Sequence, residues 1–252
     1  MRRVFFFVVI LFVFASCKHE EIPAKLNLTI NIAVDGDQIQ YDVLEYQNEA
    51  GNPYQVSEVK FFISAVQLFK EGKMTAITDN YGIHYYDSNL PDTRSWDISD
   101  ELEEGAYDSI AFVFGLLPEQ NVTGFFVNPP ENNMSWPEVL GGGYHYMQIN
   151  GKWLAAGDTL KPFNLHTGIG QTYANGEITG FIHNQFRVVL PLNGFQIRTG
   201  HYNCLTLEMN VNNWFRTPHR IDWNEIGGSI MQNQEVQQWL KENGANIFLV
   251  RR

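Results

Sequence analysis

Two histidines and a methionine in one region of the chain have the types and spacing to hold a soft metal. From Trp136 the chain reads Trp136-Pro137-Glu138-Val139-Leu140-Gly141-Gly142-Gly143-Tyr144-His145-Tyr146-Met147-Gln148-Ile149, and a little later Phe163-Asn164-Leu165-His166-Thr167-Gly168. Gly and Pro punctuate the start, and the alternation after them predicts a loop running into a strand. Side chains alternate across a strand, so His145, Met147 and Ile149 are expected on one face, with His145 and Met147 about 7 Å apart. An imidazole and a thioether so placed suit copper(I). The same residue types also fill interiors, and a packed core explains the pattern equally well. His166 lies on a second short strand. His84, in the aromatic run Ile83-His84-Tyr85-Tyr86, is expected to be packed or hydrogen-bonded rather than a ligand.

The elements that must position these residues are strands. Leu26, Leu28, Ile30 and Ile32 alternate with Asn27, Thr29 and Asn31, which starts the fold at about Leu26. A second strand is expected over roughly Gln40 to Tyr46. From Val56 to Phe69, Val59, Phe61 and Ile63 share one phase while Val66 and Leu68 share the other, so a bulge is expected at Ser64-Ala65. Glu71-Gly72-Lys73 closes a hairpin, and Tyr107 to Phe114 reads as a buried strand. Leu117 to Asn133 is a loop long enough to suggest function. Gly151 to Lys161 reads as another loop, and Leu205 to Val211 as a half-buried strand. One helix is expected, from Gln234 to Asn243, capped by Asn233 and stopped by Gly244. The fold class that follows is mainly β: an antiparallel β-sandwich with long loops and one short C-terminal helix, forming a single domain over residues 26–252.

The amino terminus bounds where the protein works. Arg2-Arg3, an apolar run from Val4 to Phe14 and Ala15-Ser16-Cys17 have the parts of a lipoprotein signal peptide over residues 1–17. The run is too short to cross a bilayer. Cys17 is the expected lipidation site, followed by a polar tether over 18–25, and the lipid supplies membrane affinity. The expected location is the bacterial cell envelope, at the outer membrane. Losing Arg2 and Arg3 takes the net charge from −11 to −13, without a Lys/Arg cluster to mark a nucleic-acid surface. With Cys17 acylated, Cys204 has no partner and reads as a buried, inert thiol.

A nucleophile elbow, a His-Glu-x-x-His, a Walker loop and a Cys-x-x-Cys are all missing from the sequence, so enzymatic chemistry has no support in it. The ordered set Asn48 to Ser64, Gly105-Ala106-Tyr107, Phe112-Val113-Phe114-Gly115, Asn121-Val122-Thr123-Gly124, Met134-Ser135-Trp136, Gly143-Tyr144-His145-Tyr146 and Asn164-Leu165-His166-Thr167-Gly168 resembles the MbnP-like family. That family comprises exported, often lipid-anchored proteins related to a copper-binding partner of methanobactin systems. The resemblance implies a β-sandwich-like domain and copper as the cofactor. It carries over His166 in the His-x-Gly segment, His145 in the Gly-Tyr-x-Tyr segment, and Met231, which stands where relatives often have a Met-His pair. The family's copper sites also use an oxidised tryptophan two positions before a histidine. Here Trp96, Trp136, Trp153, Trp214, Trp223 and Trp239 are followed two positions on by Ile98, Glu138, Ala155, Arg216, Glu225 and Lys241. The competing expectation is a metal-free surface lipoprotein. In it, aromatic loops around Phe125-Phe126, Trp136, Trp153, Trp214 and Trp223 would meet a peptide, glycan or protein partner.

Overall fold

The structure, a computed structural model, describes residues 24–77 and 82–251. Cys17, the leader and most of the tether lie outside the described residues. In chain order the strands are β1 (Ala24–Val34), β2 (Asp37–Gln38), β3 (Tyr46–Gln47), β4 (Pro53–Lys70), β5 (Lys73–Ile77), β6 (Ile83–Asp87), β7 (Ser95–Leu102) and β8 (Gly105–Phe114). They continue as β9 (Met147–Ala155), β10 (Thr159–Thr167), β11 (Ile169–Ala174), β12 (Glu177–His183), β13 (Phe186–Ile197), β14 (Tyr202–Asn210) and β15 (Phe248–Arg251). Two α-helices, α1 (Trp223–Ile226) and α2 (Gln234–Asn243), precede the last strand.

The strands make two packed sheets and a separate hairpin. One sheet runs β15-β14-β1-β2, with β7 also on β1; the other runs β10-β9-β4-β8-β13, with β3, β5 and β6 also on β4; β11 and β12 pair only with each other. The sandwich is therefore as expected, with one difference: β1 and β14 pair in parallel, Leu28 opposite Leu205 and Ile30 opposite Leu207. A parallel pair needs a long crossover, and nearly the whole chain lies between these two strands. No local pattern in the sequence marks a pairing of that separation.

β4 is the spine. Its inward side chains Tyr54, Val56, Val59, Phe61 and Ile63 are fully buried against the other sheet. Between Ser64 and Gln67 the register with β8 shifts, and Ala65 adopts φ 51°. The bulge read from the phase slip is thus real, and it lets one long strand pair with β9 along its first half and β8 along its second. Elsewhere the strands differ from the sequence reading. Residues 39–45 form no strand, Gly151 to Ala155 continue β9 rather than looping, and β1 begins at Ala24, inside the stretch read as tether. Cys204 is exposed rather than buried, because β14 turns Asn203, Leu205 and Leu207 inward and Cys204 falls in the opposite phase.

The core is aromatic. Phe61, Phe112, Phe114, Trp214 and Phe248 meet between the sheets, and Trp223 from α1 stacks on Phe163 at 4.5 Å. α2 has the expected cap, with the Asn233 side chain accepting from the Val236 backbone N–H, and buries Val236 and Leu240.

Candidate metal centre

The site is built on the outer face of the larger sheet, where β9 and β10 begin and end. The connection between β8 and β9 folds back over Phe62, making a second buried cluster of Phe62, Tyr85, Leu116, Met134, Trp136, Leu140, Tyr144, Tyr146 and Ile169. Backbone bonds fix its last turn: Trp136 N–H to Gly143 O at 2.9 Å, His145 N–H to Met134 O at 2.7 Å and Tyr146 N–H to Thr167 O at 2.8 Å. Two glycines allow this. Gly143 has φ 78°, and a Cβ there would sit 2.6 Å from Asn121 Oδ1; a Cβ on Gly168 would sit 2.6 Å from the Trp136 ring. Gly168→Ala must therefore push Trp136 off His145. We expect a loss of about 1–3 kcal/mol, the usual cost of forcing extra volume into a packed site, read from urea unfolding.

His145 and His166 come together. Their ring centroids are 5.0 Å apart and the planes are perpendicular at 89°. His145 is 6% exposed and its ring packs edge-on against Trp136 at 4.7 Å. Its Nδ1 lies 2.9 Å from the Met134 carbonyl, while its Nε2 is buried without a hydrogen-bond partner. An unmatched buried nitrogen costs free energy, so a site that keeps one calls for an explanation. His166 extends from β10, and its Nε2 lies 2.8 Å from Asn150 Oδ1. Both rings are held neutral. Burial lowers the His145 pKa, and burial first, then the neighbouring His145, pushes His166 down to about 4.

The other expected ligands stand elsewhere. His145 is not on a strand with Met147: it precedes β9, and Met147 is the first residue of that strand, fully buried in the core between the sheets and paired with Phe61. The sequence pattern reads as one strand because the alternation continues through Tyr144 and Tyr146, but Tyr144 and His145 bond the folded-back loop at Ser135 and Met134, and Tyr146 bonds Thr167 and Phe62 just ahead of β9. Met231 packs against the second cluster and lines an open cavity of about 460 Å³ with Leu140, Ser229, Gln232 and Asn233. His84 bonds the Thr93 carbonyl at 2.7 Å and stacks on Trp96, as a packed histidine should. Trp136, Trp153, Trp214 and Trp223 are all buried, so among the aromatics read as a contact surface Phe125 alone is exposed. Sequence reasoning missed Asn150 and Glu58, which lie behind His166; only the strand register places them there.

Among the described residues no cluster of three or more His, Cys, Asp and Glu side chains forms around a common point. What the fold does bring together is a pair of neutral imidazoles, His145 and His166. A family model for MbnP matches residues 23–233. The chain belongs to the MbnP family. The solved structure of MbnP from Methylosinus trichosporium is similar in fold, with a TM-score of 0.53 and 15% identity over 79% of each chain. Among curated proteins no match is found. The MbnP family is associated with copper, and the residues gathered here fit that ion: His145 offers a buried lone pair that no described residue uses, and His166 stands beside it.

Proposed function

We propose that this MbnP-family protein is an exported, lipid-anchored copper-binding protein in which His145 and His166 together hold one copper(I) ion. The observation that carries the reading is the partnerless, buried His145 Nε2 beside a second imidazole 5.0 Å away. Metal–imidazole bonds are about 2 Å long, so rings at this separation can share one ion. Copper(I) accepts two neutral nitrogen donors, whereas zinc usually takes four ligands. Titration of the metal-free protein with copper(I) against a chromophoric competitor tests this. One saturable equivalent is expected, and a protein that never competes would refute it.

The depressed pKa values set the acid range of the site. Free imidazole titrates near 6.5, and only its neutral form coordinates. Folded His166 stays neutral down to about 4, so copper(I) binding should persist at pH 5.5 and fade towards pH 4. Folding responds in the same window. The unfolded chain takes up this proton near 6.5 and the folded chain only near 4, so stability falls as pH drops between those values, by about 3 kcal/mol at most. Thermal melts at pH 7 and pH 5 measure the difference.

Attachment to the membrane rests on the amino-terminal sequence, with Cys17 as the lipidated residue and the outer membrane as the destination. Among the described residues no helix is long and apolar enough to cross a membrane. Cys17→Ala should therefore move the protein from the membrane to the soluble fraction of cells while leaving its melting temperature unchanged; retention in the membrane fraction would contradict the assignment.

A further inference from the structure

Three adjacent strands carry a hydrogen-bonded row behind His166. Glu58 on β4 is opposite Asn150 on β9, and Asn150 is opposite Asn164 on β10, two residues before His166. These residues point outward because their neighbours Val59, Ile149 and Leu165 fill the core. Asn150 Nδ2 donates to Glu58 Oε1 at 2.6 Å, and the other carboxylate oxygen of Glu58 takes Lys60 Nζ at 2.7 Å and Asn89 Nδ2 at 3.3 Å.

The chemistry of these partners settles where the protons are. A carboxylate only accepts, so the Asn150 amide must turn its nitrogen to Glu58 and its oxygen to His166. That oxygen also only accepts, so the hydrogen of the neutral His166 ring sits on Nε2 and its lone pair on Nδ1. At His145 the Met134 carbonyl imposes the reverse: the hydrogen sits on Nδ1 and the lone pair on the partnerless Nε2. We propose that Asn150, oriented by the Glu58–Lys60 ion pair, is a positioning residue that locks His166 in the Nε2–H form, so that the pair presents its metal with Nδ1 of His166 and Nε2 of His145. This rests on the copper reading above for its purpose, though not for its test.

Neutral histidine in solution exchanges between both tautomers, and hydrogen bonds to the second nitrogen are the usual means of fixing one at a metal ligand. The row therefore predicts one tautomer at each ring before any metal binds. Long-range proton–nitrogen NMR correlations on the metal-free protein at pH 7.5 read this directly. The expected spectrum shows His166 protonated at Nε2 and His145 at Nδ1. In Asn150→Leu the His166 signals should move towards the averaged positions of a mixture, with those of His145 unchanged, and copper(I) affinity should fall by roughly 10- to 100-fold. The combination Asn150→Asp with Glu58→Gln keeps an acceptor facing His166 and a donor facing that acceptor, so it should restore the single tautomer. A purely structural Asn150 would lower the melting temperature of Asn150→Leu and leave the tautomer fixed. That result, or wild-type His166 protonated at Nδ1, overturns the proposal. Absence of copper binding by the wild type would defeat the copper reading and leave the NMR result to decide the row by itself.

Discussion

His166→Ala is expected to weaken copper(I) binding by roughly a hundredfold or more, and His145→Ala by at least as much, because each removes one of the two proposed donors. Changes behind a ligand typically cost about 10- to 100-fold, so loss of the ligand itself must reach the top of that range. His145→Ala removes the better prepared of the proposed donors: its Nε2 is already buried and bonds no described residue. Competitive copper(I) titration of the two variants checks both values. If the histidines served only to fill and bond the interior, their truncation would cost about 1–3 kcal/mol of folding free energy and the titration curves would match wild type.

The largest loss of stability is expected at Trp223. Its ring lies 4.5 Å from Phe163, 4.9 Å from Phe215 and 5.3 Å from Tyr54, and so ties the one-turn helix α1 to β4 and β10. Trp223→Ala should cost about 3–5 kcal/mol, the range for emptying a large aromatic site in a core, seen as a lowered urea midpoint. A change under about 1 kcal/mol would mean that the aromatic cluster is not where the sheets are held together.

The features of the fold that are legible in the sequence are those written in local patterns. Alternation gave β1, β4 and β14, the phase slip at Ser64-Ala65 gave the bulge, and Asn233 with Gly244 gave α2. His145 and His166 stand out by type and by the glycines near them. Pairing was less accessible. That β1 lies parallel to β14, and that Glu58 and Asn150 line up behind His166, depend on registers between segments far apart in sequence. The placing of His145 and Met147 on one strand face failed because an alternating run, Tyr144 to Met147, crosses a boundary: its first part bonds the returning loop and only its last residue enters β9. At Cys204 the frequent burial of thiols points inward while the phase of its own strand points outward, and the strand phase decides.

In the proposed site two imidazoles, one of them with a nitrogen that bonds no other described residue, hold copper(I) together. X-ray absorption at the copper edge, on protein loaded with one equivalent of copper(I), addresses it directly. A first shell of two nitrogens with the outer-shell pattern of imidazole is expected, reduced in His145→Ala and in His166→Ala. A first shell of sulfur without imidazole, or a spectrum unchanged by both substitutions, would contradict it.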